Sequence, residues 1–161
     1  MGKIGTALAA VAAITLLTAV AASAQTKRPG PAAAYEPGLA DLMTATVQPR
    51  HTKIWLAGKE KNWAYAEYEF RELNEAFGRA MQVWPQWQQF PVKDMLASVL
   101  KQPMTDLGQA IRAKDPAKFA AAYDSLTAGC NACHQAAGRA MIAIKKPDSS
   151  PYPDQDFAPQ P

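Results

Sequence analysis

The sequence is poor in several features that define common classes of protein. Its 161 residues include only two cysteines and two histidines, and the formal net charge is +3 at pH 7. Lysine and arginine are scattered rather than clustered, so no nucleic-acid-binding surface is indicated. Alternating strand patterns, internal repeats and long heptad runs are lacking, which argues against β, solenoid and coiled-coil architectures. A chain of this length has room for one domain.

Long apolar stretches are confined to the beginning of the chain. Lys3 precedes an apolar run over 4–20, and the tripeptide Ala-Ser-Ala over 22–24 is a small-x-small cleavage site. This order is typical of a secretory signal peptide that is removed on export. The run is rich in alanine and only weakly hydrophobic, which favours cleavage over an uncleaved membrane anchor. The sequence therefore predicts a signal peptide over 1–24, a periplasmic location and no membrane insertion after cleavage.

After a proline-rich lead-in over 25–37, apolar residues recur every three to four positions in four segments, as in amphipathic helices. The first segment ends near Gly58, and we expect a kink or a break at Pro49 because proline has no N–H to donate within a helix. The second segment follows an N-cap at Asn62. The stretch over 82–91, which contains prolines and aromatic residues, is expected to form a loop before the third.

The second half of the domain continues this pattern. Asp115 followed by proline marks the N-terminus of the fourth segment, which carries both cysteines on its apolar face. The proline-rich tail over 146–161 cannot continue as helix, and we expect it to wrap the surface and dock Tyr152 and Phe157. Four amphipathic helices with short connections over 38–145 predict an all-α, antiparallel four-helix bundle.

The chemistry of the chain is concentrated in one motif, Cys130-Asn131-Ala132-Cys133-His134. This C-x-x-C-H pattern is the attachment signature of c-type haem. Two cysteines three residues apart lie on one face of a helix, where their sulfurs can bond two vinyl groups of one porphyrin while the adjacent histidine ligates the iron. The sequence predicts one covalently attached haem c on the C-terminal helix, held by Cys130 and Cys133, with His134 as the proximal iron ligand.

Three other roles of the cysteine pair have weaker support. A disulfide between Cys130 and Cys133 would close only a short loop, which stabilises a fold little. A redox-active C-x-x-C pair belongs with a βαβ pattern that this sequence lacks. A zinc site needs four ligands, and because His51 is the only other histidine, carboxylates would have to complete it.

A C-x-x-C-H motif near the end of the fourth helix of an exported helical bundle resembles the class II cytochromes c, the cytochrome c-prime group and its low-spin relatives. That family often carries an aromatic and then a basic residue three and four places after the histidine. Here those places hold Ala137 and Gly138, and Arg139 follows. The stretches QPRHTKIWLAG and NWAYAEYEF are also similar to a group of little-characterised exported monohaem cytochromes. The resemblance implies a four-helix bundle with the haem on its last helix.

The residue opposite His134 decides what the iron does, because a sixth ligand favours outer-sphere electron transfer and an open position lets gases bind. Met43 lies in the apolar stripe of the first helix, roughly level with Cys130 if that helix is antiparallel to the fourth. His51 is the stronger ligand, and a lone imidazole is costly to bury without a role. We therefore favour His51 as the distal ligand, with Met43 as the alternative.

Arg50, Lys53 and Arg139 are candidates for contact with the haem propionates, because charge-assisted bonds to carboxylates are strong. The predicted function is one-electron transfer between redox partner proteins, with no catalytic activity of its own. One alternative is a five-coordinate haem protein that binds nitric oxide or carbon monoxide. Another is a haem subunit of a larger oxidoreductase. The chain is also a candidate homodimer.

Overall fold

The computed structural model describes residues 35–161. The predicted signal peptide over 1–24 and most of the lead-in over 25–37 lie outside the described residues. Within the described part the fold is all-helical, as the apolar periodicity predicts, and no β-strand is formed there. None of the helices in this part combines the length and the apolar character that a membrane span requires.

Four helical segments make up the described chain. Their bounds are α1 (Leu39–Leu42), a π-helical turn (Met43–Val47) and α2 (Gln48–Lys59) as one continuous segment, then α3 (Trp63–Val83), α4 (Val92–Ala113) and α5 (Pro116–Ala136). Consecutive segments pack against each other, and α2 also contacts α5. Each segment therefore contributes one apolar face to a common core.

Both N-caps that the sequence predicts are formed. The side-chain oxygen of Asn62 accepts the backbone N–H of Tyr65 at 3.1 Å at the start of α3. The Asp115 carboxylate accepts the N–H groups of Ala117 and Lys118 at 3.1 and 3.0 Å at the start of α5. A cap of this kind typically contributes about 1 kcal/mol. These local bonds fix where α3 begins and where α5, the helix that carries the cysteines, begins.

The break that the sequence allows at Pro49 is not formed. The chain stays helical through this proline, and the turn directly before it widens into the π-helical stretch, where the Gln48 N–H reaches the Met43 carbonyl five residues back. Proline cannot make the ordinary bond to the fourth carbonyl before it, so the helical ladder is already interrupted at this point. As a result, Met43 and His51 remain on one continuous helical segment.

The helices α2 and α5 approach each other closely at Gly58. A Cβ atom built on Gly58 would lie 2.1 Å from Cζ of Phe119, so only glycine fits there. The tail packs outside this region, as expected from the sequence: Phe157 is buried, and its ring centroid lies 5.5 Å from that of Tyr65. The large, fully buried apolar side chains are Ile54, Leu73, Val92, Leu107, Ile111, Phe119 and Leu126.

Candidate functional site

An apolar cavity of about 230 Å³ lies between the first helical segment, α4 and the end of α5. Five residues that the sequence analysis singled out line this one cavity, namely Cys130, Cys133, His134, His51 and Met43. The rest of the lining is mostly apolar or aromatic and includes Leu39, Val47, Phe77, Trp87, Phe90, Leu96, Leu100, Ile142 and Ile144. The structure thus brings the motif and both candidate distal residues together.

Cys130 and Cys133 lie in the last turns of α5 and are not joined to each other. Because they are three residues apart on a helix, they share one face, and both line the cavity. Burial, with Cys133 nearby as a second cause, raises the pKa of Cys130 to about 12, and burial also raises the pKa of Cys133. Reactive thiols in redox proteins have lowered pKa values. Neither thiol therefore has the lowered pKa that is typical of such reactive cysteines.

His134 has one ring nitrogen bound to the backbone. Its Nδ1 lies 2.7 Å from the carbonyl oxygen of Ile142. Since a carbonyl oxygen only accepts, Nδ1 carries a proton, which leaves Nε2 as the nitrogen that can present a lone pair to a metal. Metal-ligating histidines commonly donate their other N–H to a backbone carbonyl, which fixes the tautomer and the ring orientation. His134 therefore has the backbone hydrogen bond that orients a metal-ligating imidazole.

The carbonyl that holds His134 belongs to a segment that folds back after α5. Gly138 has a φ of +68°, a left-handed conformation that glycine adopts without strain. Beyond this reversal, Asn131 donates from Nδ2 to the Ile144 carbonyl at 2.8 Å and accepts the Ile144 N–H at 2.7 Å. This role of Asn131 is not evident from the sequence. Its amide at a spacer position was the only signal, and its partner lies outside the motif.

His51 is buried and is contacted by α5 through both ring nitrogens. Its Nδ1 lies 2.9 Å from the hydroxyl of Tyr123, and its Nε2 lies 3.0 Å from the hydroxyl of Thr127. The rings of His51 and Tyr123 pack with their centroids 4.5 Å apart. Burial lowers the pKa of His51 to about 4, so the ring is neutral at pH 7. The sequence predicts a position near the haem for His51 but does not reveal its two partners, Tyr123 and Thr127.

Met43 faces the cavity from the π-helical turn. Along the first helical segment the lining residues run from Leu39 to His51, so Met43 and Val47 lie within the stretch while His51 ends it. π-helical turns are rare and are concentrated at functional sites. Of the two candidate distal residues, Met43 has the more central position and His51 the more restrained side chain.

The basic residues that the sequence analysis assigned to the propionates lie in different surroundings. Arg50 pairs with the buried carboxylate of Glu69, with 2.9 Å between Nη1 and Oε2. The ammonium of Lys53 lies 4.7 Å from the ring centroid of Tyr152. Neither residue lines the cavity, whereas Arg139 does. Arg50 therefore connects α2 to α3, and Lys53 connects α2 to the tail.

Arg139 places a charge at the cavity. Its guanidinium lies 4.7 Å from the ring centroid of Trp87, which belongs to the loop between α3 and α4 and also lines the cavity. Its Nη1 donates to the Gly138 carbonyl at 3.2 Å. The ion pairs formed within 35–161 include no acidic partner for Arg139. Most of its five N–H donors are thus available to an anionic group.

Comparisons of the chain with protein-family models, with curated proteins and with solved structures gave no match. Across 35–161, no group of three or more histidine, cysteine, aspartate or glutamate side chains is arranged to hold a metal ion. What distinguishes the cavity is its combination of two unpaired thiols, one oriented imidazole, one arginine and an otherwise largely apolar lining.

Proposed function

We propose that the chain is a monohaem c-type cytochrome that carries single electrons between periplasmic redox partner proteins. The observation that carries this proposal is that both thiols and the oriented imidazole of one C-x-x-C-H motif line the same apolar cavity. Cys130 and Cys133 would hold haem c through thioether bonds, and His134 would ligate the iron through Nε2. When bound, the haem supplies a metal that changes oxidation state by one electron.

The side chains of the cavity suit such a group. A porphyrin is a flat apolar ring with two carboxylates on one side, so it needs an apolar pocket and a cation or water at the carboxylates. The largely apolar lining meets the first need, and Arg139 meets the second. The bond between His134 and Ile142 holds the imidazole in one orientation, so the ligand has little freedom to rearrange when the charge changes.

We assign the sixth position to Met43, with His51 as the alternative. Met43 lies within the lined stretch of the first helical segment. Ligation by His51 would require its ring to give up a contact with Tyr123 or Thr127. A methionine ligand opposite a histidine favours electron transfer over gas binding. A five-coordinate, gas-binding haem is the function that follows if neither residue ligates the iron.

We also propose an antiparallel arrangement of the helices and export of the protein. An antiparallel four-helix bundle with haem on α5 is supported by short connections between consecutive segments that pack together. Export with removal of 1–24 is supported by the positive, apolar and small-residue order at the N-terminus. The mature chain is then expected to begin at Gln25, which N-terminal sequencing of the purified protein checks.

Extraction under denaturing conditions tests the covalent link. Haem is expected to stay with the wild-type chain in acidified acetone, because thioether bonds survive unfolding. The double variant Cys130→Ala/Cys133→Ala should release any haem that it binds. Ser125→Ala, a matched control at an exposed site on the same helix, should behave as the wild type. Complete extraction of haem from the wild-type chain would overturn the proposal.

A further inference from the structure

Asn131 occupies the first position between the two cysteines of the C-x-x-C-H motif. We propose that Asn131 is a positioning residue for His134, because it clamps the segment whose carbonyl orients the His134 imidazole. This inference rests on the proposed function, since it concerns the histidine assigned to the iron. It adds a residue that the attachment chemistry itself does not require, because either spacer position of the motif tolerates any side chain.

The clamp consists of two bonds from one amide. Asn131 Nδ2 donates to the carbonyl of Ile144 at 2.8 Å, and the Ile144 N–H donates back to Asn131 Oδ1 at 2.7 Å. Two residues before Ile144, the carbonyl of Ile142 accepts the Nδ1–H of His134 at 2.7 Å. Asn131 and His134 are three residues apart on α5, so they share a helix face that the returning segment can contact at both points.

Hydrophobic burial contributes little in the middle of this segment, although Ile142 and Ile144 line the cavity. Met141 is 77% exposed and Ile142 is 49% exposed. The beginning of the segment is fixed by turn bonds, from the Arg139 N–H to the His134 carbonyl at 2.7 Å and from the Ile142 N–H to the Arg139 carbonyl at 2.9 Å. At its far end, the bonds to Asn131 are the hydrogen bonds that tie the backbone of Ile144 to α5. The position of the Ile142 carbonyl therefore depends on polar contacts.

The strength of the bond at Nδ1 matters for the opposite nitrogen. Donation of the Nδ1 proton to a well-placed carbonyl makes the imidazole a more basic ligand at Nε2. A more basic ligand stabilises the oxidised iron and lowers the reduction potential. Loss of the clamp should loosen the Ile142 carbonyl, weaken this bond, raise the potential and expose the Nδ1 proton to solvent.

Asn131→Ala in the haem-loaded protein is the direct test. NMR of the reduced protein should show the His134 Nδ1 proton exchanging with solvent faster than in the wild type by about tenfold, which corresponds to loss of one to two hydrogen bonds. The reduction potential should rise. Asn131→Asp keeps an acceptor for the Ile144 N–H but loses the donor, so its exchange rate should fall between those of the wild type and Asn131→Ala.

Two control variants separate positioning from a general loss of stability. Asn62 is also an asparagine whose amide makes two hydrogen bonds to the backbone, but it lies at the start of α3. It accepts the Tyr65 N–H at 3.1 Å and donates to the Ala158 carbonyl in the tail at 3.0 Å. Asn62→Ala should therefore lower stability but leave the His134 exchange rate and the potential unchanged. Ala132→Ser alters the other, exposed spacer residue and should change neither quantity.

The outcomes distinguish this inference from the proposed function. If Asn131→Ala carries haem with the wild-type exchange rate and potential, or if Asn62→Ala shifts both equally, the assignment of Asn131 is wrong while the cytochrome proposal stands. A wild-type protein without haem would overturn both.

Discussion

His134 and His51 line the same cavity, yet the surrounding chain holds them in opposite ways. His134 is half-buried, donates one proton to the Ile142 carbonyl, and presents its other nitrogen as a lone pair. His51 is buried, and both of its ring nitrogens contact hydroxyl groups of α5. One ring is oriented by the backbone for a ligand, and the other is occupied by the protein.

Burial alone therefore does not mark a metal ligand. From the sequence, the expected cost of burying an imidazole favoured His51 as the distal residue. The contacts of Tyr123 and Thr127 with His51 show how the fold offsets that cost without a metal. A free lone pair on a ring that is oriented by its other nitrogen is the more specific signal. By this criterion His134 is the stronger ligand candidate, and Met43 becomes the preferred distal residue.

The largest expected effect separates the two histidines directly. His134→Ala should abolish the low-spin absorption spectrum, because it removes the proposed proximal ligand. His51→Ala should retain the low-spin spectrum of the wild type, since in this account its ring does not ligate. Absorption spectra of the oxidised and reduced proteins provide the measurement. A low-spin His134→Ala protein, or a high-spin His51→Ala protein, would reverse the assignment.

Met43→Ala should have the next largest effect. If Met43 is the sixth ligand, its loss opens the iron, so the reduced protein should become high-spin and bind carbon monoxide readily. Met104→Ala is the matched control, because Met104 is a buried methionine that does not line the cavity. The control should stay low-spin. If Met43→Ala remains low-spin and unreactive to carbon monoxide, Met43 is a packing residue.

A third prediction concerns His51 and the dependence of the stability of the protein on pH. The pKa of His51 is lowered from 6.5 to about 4 in the folded protein, so the unfolded chain binds the proton first as the pH falls. The stability from keeping His51 neutral is complete above pH 6.5 and is lost as the pH falls towards 4. The expected loss in the free energy of unfolding is at most about 3 kcal/mol.

Urea unfolding at several pH values measures this dependence in the wild type and in His51→Gln. Carboxylates titrate in the same range in both proteins, so the difference between the two curves isolates His51. The curve of His51→Gln should be flatter between pH 7 and about pH 4. Parallel curves would show that the fold does not hold His51 in its neutral form.

The smallest effect is expected from the loss of the charge on Arg139. Arg139→Gln should lower the reduction potential, because a nearby positive charge stabilises the more reduced iron. Exposure and salt screen this charge, so the shift should be modest and should shrink at high ionic strength. Arg112→Gln removes a charge of the same sign from α4. Arg112 lies about 18 Å along that helix from Leu100, which lines the cavity, so this variant should change the potential less. Equal shifts in the two variants would show that Arg139 makes no specific contact.

The features that the sequence predicts correctly depend on local chemistry. The starts of α3 and α5 could be predicted because Asn62 and Asp115 bond backbone groups within three residues. The all-helical fold could be predicted because apolar spacing reports a helix face directly. The candidate site could be located because its thiols and proximal imidazole form one contiguous motif.

The features that the sequence does not reveal depend on distant partners. Arg50 is a candidate for a propionate contact from its charge alone, whereas its pairing with Glu69 depends on how α2 packs against α3. The clamp between Asn131 and Ile144 exists only because the chain reverses at Gly138. The π-helical turn before Pro49 is one of several ways to accommodate a proline, and the local sequence does not distinguish among them.

The intact mass of the protein purified after export, recorded together with its absorption spectrum, tests the central claim most directly. Addition of both thiols across the vinyl groups loses no atoms. We therefore expect the mass of the chain from Gln25 plus one whole haem, together with an intense Soret band. A mass equal to that of the polypeptide alone, with no Soret band, would contradict it.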